Sequence, residues 1–198
     1  ATESGLNRIA GNKCTVFKTS NSNIGADSFI NLHYNKESNS IWILFKNGKI
    51  DVFNCKTQTF KHFSDTKGML LQNISAIHGA SDGGLWIAYY SGDIQHYNIK
   101  KQKFTTYSKR LFPKNKNGVR YIMDDGNDHL YVGLRMDGMY VYNLRTRKAK
   151  FYNHNPKDEQ SLPGNNVRSI CIDHMKNIWV GTNLGLSLIH ISEPTRRS

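Results

Sequence analysis

Val167-Arg168-Ser169-Ile170-Cys171-Ile172-Asp173-His174-Met175-Lys176-Asn177-Ile178-Trp179-Val180-Gly181-Thr182-Asn183-Leu184-Gly185 decides the fold, because versions of it recur along the 198-residue chain. A β-branched residue precedes an aromatic by twelve positions four times: Ile30 and Trp42, Ile74 and Trp86, Val119 and Tyr131, Val167 and Trp179. Successive aromatics lie 44, 45 and 48 residues apart, and a glycine follows each by six or seven positions, at Gly48, Gly92, Gly138 and Gly185. That period is the length of one propeller blade. Within one period, runs at Ile74 to Ile77, Leu85 to Tyr89, up to Tyr97, and Phe104 to Tyr107 are separated by turn residues such as Ser81 to Gly84 and Ser91-Gly92. Short runs punctuated in this way predict four antiparallel strands. A lone four-stranded sheet leaves both faces uncovered, so successive units must stack to bury their Trp, Ile and Phe positions.

The unit resembles the two-component regulator propeller repeat, whose core reads N-x-V-x-x-I-x-x-D-x-x-G-x-I-W-[IV]-G-T-x-x-G-L. The nearest copy is Asn166-Val167, Ile170, Asp173, Asn177-Ile178-Trp179-Val180-Gly181-Thr182 and Gly185-Leu186. Others are weaker: Tyr131-Val132-Gly133 with Gly138, and Trp42-Ile43-Leu44, where His33 falls where Ile77, Ile122 and Ile170 stand elsewhere. The resemblance covers nearly the whole chain. It implies a place in the periplasmic sensor region of Bacteroidetes-type hybrid two-component sensor histidine kinases, which sense glycan breakdown products and switch on polysaccharide-utilisation genes. The parent would then sit in the inner membrane, with the rest of the sensor chain and a homodimer partner as further partners. No enzymatic role is implied for this stretch itself.

The fold class expected is all-β, with β-propeller blades amounting to about four blade-equivalents. An incomplete blade at 1–20 precedes blades at about 28–63, 72–107 and 117–153, and a further incomplete blade follows at 165–189. Ala1 to Arg8 aligns with Gly181 to Leu186, so the chain is expected to open inside a blade. Two architectures fit: an arc of a larger seven-bladed ring, or a small four-bladed ring closed by the two incomplete ends. Leu186-Ser187-Leu188-Ile189-His190-Ile191-Ser192-Glu193-Pro194-Thr195-Arg196 resembles a translated sequencing-library adaptor, while Leu186 also fits the repeat, and residues 190–198 are read as a non-native tail.

Composition fits this plan, with 11% aromatics, 16 Gly and only four Pro. No window of 18 apolar residues is present, so membrane contact is expected only through segments outside this stretch. Cys14, Cys55 and Cys171 are odd in number and share no metal-ligand spacing. They are expected as strand residues, with Cys171 buried. Asp124-Asp125-Gly126-Asn127-Asp128 has calcium-loop letters without the full twelve-residue pattern. It is read as the first hairpin turn of its blade. There is no G-x-S-x-G, no H-E-x-x-H, no phosphate-cradling loop and no acid pair suited to glycosidase chemistry. Neither a cofactor nor a metal is expected.

Net charge is +12, from 27 Lys+Arg against 15 Asp+Glu. The excess gathers in turns between third and fourth strands (Lys100, Lys101, Lys103; Arg145, Arg147, Lys148, Lys150), which should share a rim with the first-to-second turns. Such a rim is either simply solvated or attracts an anionic partner. Nucleic acid is not expected, because the aromatics recur at core positions and do not interleave with the basic residues. An oligosaccharide, acidic or sulfated, is the expected ligand. It would contact the loops at 109–116, 135–137 and 154–164, with Tyr90, Arg110 and Arg135 as ligand-binding residues, since Arg supplies forked donors and Tyr a stacking face. The alternatives are a scaffold or dimerisation propeller that binds no small molecule and, less favoured, a propeller-fold lyase or glycosidase.

Overall fold

The computed structural model describes residues 5–36, 38–63, 67–70 and 73–189. The tail read at 190–198 lies outside the described residues. These form two compact units, one through Lys109 and one from Arg110. In the first unit, β1 (Leu6–Ala10) and β2 (Lys13–Phe17) form a hairpin; β3 (Phe29–Asn35), β4 (Ser40–Phe45), β5 (Ile50–Asn54) and β6 (Thr59–His62) form one sheet; and β7 (Ile74–Gly79), β8 (Leu85–Tyr89), β9 (Ile94–Asn98) and β10 (Lys103–Tyr107) form another. The second unit holds β11 (Val119–Asp124), β12 (His129–Leu134), β13 (Met139–Asn143) and β14 (Ala149–Tyr152), then β15 (Val167–Ile172), β16 (Ile178–Thr182) and β17 (Leu186–Ile189). Every strand pairs antiparallel with its chain neighbour, the up-and-down order of propeller blades. The fold is an all-β propeller. No helix is long and apolar enough to cross a membrane.

The first strands β3, β7, β11 and β15 share a bulge. Pairing slips by one residue between Phe29 and Asn31, Ile74 and Ala76, Val119 and Tyr121, and Val167 and Ser169. This corrects the alignment of the first repeat: Phe29, not Ile30, is the counterpart of Ile74, Val119 and Val167. The reason is a first hairpin one residue longer, since Tyr34 pairs with Ile41, the residue before Trp42, whereas Gly79 pairs with Leu85, the residue before Trp86. Ile30 is instead the extra bulge residue and is 46% exposed. Leu32 takes the apolar slot of Ile77, and His33 becomes the counterpart of His78, each opposite its sheet's tryptophan. By the same register Cys171 lies opposite Trp179, and it is exposed where burial was expected. His33 in that position packs on Gly79 of the following sheet, whereas among the described residues no sheet follows β15–β17.

Sheets stack through their aromatics. In the first unit Trp42 meets Phe63 edge-on at 4.8 Å, and Phe63 meets Tyr97 at 4.9 Å, within a cluster shared by β3–β6 and β7–β10. In the second, Tyr131 and Met139 of one sheet pack with Val167, Ile170 and Val180 of the next. Truncating one such buried aromatic costs about 3–5 kcal/mol.

A polar latch repeats on the third strands. Asp51, Gln95 and Tyr140 stand opposite Ile43, Ile87 and Val132 on their second strands, and all three are buried. Each takes the backbone N–H of the connector entering its own sheet: Gly25 donates to Asp51 at 2.7 Å, Leu70 to Gln95 at 2.9 Å and Lys114 to the Tyr140 hydroxyl at 2.8 Å. Gln95 also donates to the Gly68 carbonyl and to Thr106, and accepts from the buried Tyr89 hydroxyl. Gln95→Met keeps the volume but strands those groups. We expect a loss of about 2–4 kcal/mol, read as a lowered urea midpoint. A midpoint unchanged from wild type would remove the latch from the account of stability.

Candidate ligand-binding rim

Each second-to-third turn is tied to the connector that enters its own sheet. The N–H groups of Lys46, Tyr90, Arg135 and Asn183 donate to the carbonyls of Ser28, Asn73, Gly118 and Asn166, at 2.9, 2.9, 3.2 and 3.1 Å. The turns close on glycine. At Gly138, with φ of +95°, a Cβ would also lie 2.3 Å from the Tyr152 carbonyl oxygen, so only glycine fits. The Gly138 N–H donates to Asn165 at 2.8 Å, joining the turn to the next connector of the same unit. The backbone at these positions is fixed by the repeat, while the side chain it presents varies freely.

Tyr90 and Arg135 therefore occupy the same anchored position in different units. Tyr90 is 47% exposed and Arg135 half-buried. Arg110 lies instead in the connector, in a single 3-10 turn at Lys109–Leu111, and is exposed. It precedes Lys114, whose backbone is latched by Tyr140. The rest of that loop is capped by Asp137, whose Oδ2 accepts from the N–H groups of Lys116 and Asn117 and from the Asn117 side chain. None of the three predicted residues lines the large outer groove of the second unit. That groove, of about 860 Å³, lies between β14, the 153–162 connector and β17, with Lys150, Asp158, Glu159 and Gln160 on its walls. Ser187 reaches into it from the third-strand position that Asp51, Gln95 and Tyr140 fill elsewhere.

The other end of each sheet gathers the first-to-second and third-to-fourth turns, as the strand order requires. The third-to-fourth turns are closed by Asn54, Asn98 and Asn143, whose side-chain oxygens accept backbone N–H groups. Arg145 pairs across this rim with Asp128 at 2.8 Å. Asp124 and Asp125 spend their oxygens on the turn itself, on Gly126, on Asn127 and on His129. The stretch thus forms the β11–β12 hairpin turn. Among the described residues no group of three His, Cys, Asp or Glu is placed to hold a metal.

Asp173 is the most strongly held carboxylate of this rim. It accepts from the Trp179 indole and the Asn177 side chain, both at 2.9 Å, and from the N–H groups of Asn177 and Met175. The Trp179 bond, then those from Asn177, hold its pKa down from 3.8 to about 2. Sequence reading placed Asp173 and Trp179 in one motif without seeing that they bond. It missed the latch altogether, because Asp, Gln and Tyr share no letter pattern.

Residues 161–184 match the profile of a family described as Two component regulator propeller. The whole fold is similar to the extracellular domain of BT3049, described as a hybrid two component system of B. thetaiotaomicron, with 26% identity and a TM-score of 0.77 over 96% of this chain and 26% of that one. It is also similar to the extracellular domain of BT4673 of the same organism, with 21% identity and a TM-score of 0.74 over 97% of this chain and 25% of that one; at that identity the likeness concerns the fold alone. The chain spans about a quarter of the length of these solved structures. No curated protein sequence matches it. The two-component regulator propeller repeat is thus present, on a scaffold shared with extracellular domains of two-component systems.

The Asp173 bonds make a pH-dependent contribution of known sign. Its folded pKa lies below the ordinary value, so the contribution is complete above about pH 4 and lost as the pH falls through about 2. Asp173→Asn should lower the urea midpoint at pH 6, and the difference from wild type should vanish by about pH 2. A gap that stays constant across that range contradicts the assignment.

Proposed function

We propose that this chain is part of the extracytoplasmic ligand-sensing propeller of a hybrid two-component sensor, lying in the periplasm and recognising an oligosaccharide released from a polysaccharide. One observation carries this reading: 96% of the chain is similar, at 26% identity, to the extracellular domain of a hybrid two component system. The rim supports it in chemical terms. Sugar recognition needs donors for hydroxyls and a flat face for a ring, set on a backbone that does not move. Tyr90 supplies a ring face in the first unit, Arg110 and Arg135 supply donors in the second, and within each unit a turn-to-connector bond holds Tyr90 or Arg135 in place. Phosphotransfer belongs to the kinase portion of the parent sensor.

A thermal melt of the chain with a panel of neutral and charged oligosaccharides tests the proposal. A ligand at about 100 times its Kd adds about 2.7 kcal/mol to the native state, which for a chain of this size raises Tm by about 5–10 °C. Tyr90→Ala and Arg135→Ala should each reduce that rise. A melt unmoved by every glycan would favour a scaffold or dimerisation role instead.

A further inference from the structure

We propose that the groove beside β17 is a strand-acceptor site, which takes an extended segment of a partner polypeptide as the fourth strand of the β15–β17 sheet. The three complete sheets show what such a place holds. β6, β10 and β14 each pair antiparallel with a third strand, whereas among the described residues no strand pairs with the outer edge of β17. Ile50 turns its backbone to the fourth strand and accepts the Phe63 N–H at 2.9 Å. Leu186 holds the place of Ile50, so it and Leu188, two residues on, turn their backbone groups to the groove. An edge of this kind is a template for adding a strand. Leu186 is 66% exposed, where Ile50, Ile94 and Met139 are fully buried.

Register fixes the chemistry of the segment. The third-strand residue that latches the connector also meets the fourth strand: Asp51 pairs with His62 Nδ1 at 2.8 Å, Gln95 donates to Thr106 at 3.0 Å, and Tyr140 packs on Phe151 at 4.7 Å. Ser187 holds that position on β17, so a hydroxyl or imidazole suits the incoming residue opposite it. The next residue is aromatic in all three sheets, Phe63, Tyr107 and Tyr152, beside the place of Leu186. Two residues before the latch partner stands Phe60, Phe104 or Ala149, and Phe104 reaches Phe63 of the preceding sheet at 6.2 Å. Tyr152 holds the place of Phe63 and lines the groove, where it offers a face to such a ring. The walls carry two exposed carboxylates, Asp158 and Glu159, against one cation, Lys150, which favours a basic strand. Other segments of this chain fit less well. The β17 of a second copy carries no charge, and its β6, β10 and β14 are already laid in sheets. In sequence, Arg196 follows Leu186 at the spacing by which Phe60 follows Ile50 and Phe104 follows Ile94, so no ring is supplied there.

Fluorescence anisotropy of a labelled peptide with the sequence of residues 101–109, which carries Phe104, Thr106 and Tyr107 in this pattern, tests the site on the 198-residue chain. The peptide should bind, and a scrambled peptide or one with Phe104→Ala should bind at least about tenfold more weakly. Leu188→Pro, which removes an N–H on the open edge, should weaken binding by a similar factor with the far-UV circular dichroism unchanged. Glu159→Lys, at an exposed position, should weaken it about threefold, an effect lost in about 0.5 M salt. Equal binding of the scrambled peptide, or no binding at all, would overturn the proposal, and this comparison decides even where Leu188→Pro does not fold. A wild-type dimer in analytical ultracentrifugation that Leu188→Pro makes monomeric would give the groove to a second copy and overturn it as well. The oligosaccharide reading is tested separately, because Tyr90, Arg110 and Arg135 do not line this groove.

Discussion

The connector entering a propeller blade has backbone N–H groups that no sheet ladder will satisfy, and at least one lands in the interior. The fold answers with one side chain from the third strand, Asp51, Gln95 or Tyr140, placed to accept that N–H. The demand is geometric and not chemical. A carboxylate, an amide and a phenol all meet it, because each puts an oxygen at the required distance from a buried strand. With the connector fixed at that point, the first strand begins at a set height, its bulge falls at a set place, and the second-strand aromatic meets the neighbouring sheet.

The two ends of each sheet differ in character. The rim with the first-to-second turns consumes its polar groups internally, through Asp125, Asp173 and the asparagine-closed turns. Its lysines and arginines are solvated or paired, as Arg145 is with Asp128. At the other end of each sheet the second-to-third turn is tied to its connector by a backbone bond, from Lys46, Tyr90, Arg135 or Asn183. The residue at that anchored position changes from sheet to sheet. Binding chemistry can vary on such a rim without cost to the fold, which is why loops on rigid scaffolds so often carry function.

Much of this was legible in the letters. The twelve-residue offset found all four second-strand aromatics, and the turn glycines marked the second-to-third turns at Gly92, Gly138 and Gly185. One first-strand partner was misread. The first hairpin is one residue longer between Trp42 and its partner His33 than its counterparts are, and a fixed offset then selects Ile30, while the fold selects Phe29. Burial at Cys171 failed for a different reason: alternation along a strand says which side a residue faces, not whether another sheet covers it. The latch stayed hidden because its residues are equivalent only by position.

A repeat protein offers an internal control that other folds lack. At each structural position the units can be compared within one chain, and what they share is what stacking requires. The second-strand aromatic, the apolar slot at Leu32, Ile77, Ile122 and Ile170, and the turn glycine are constant in kind. The bulge residue is not: it is Ile30, Ser75, Arg120 and Arg168. What differs there is what stacking leaves undetermined.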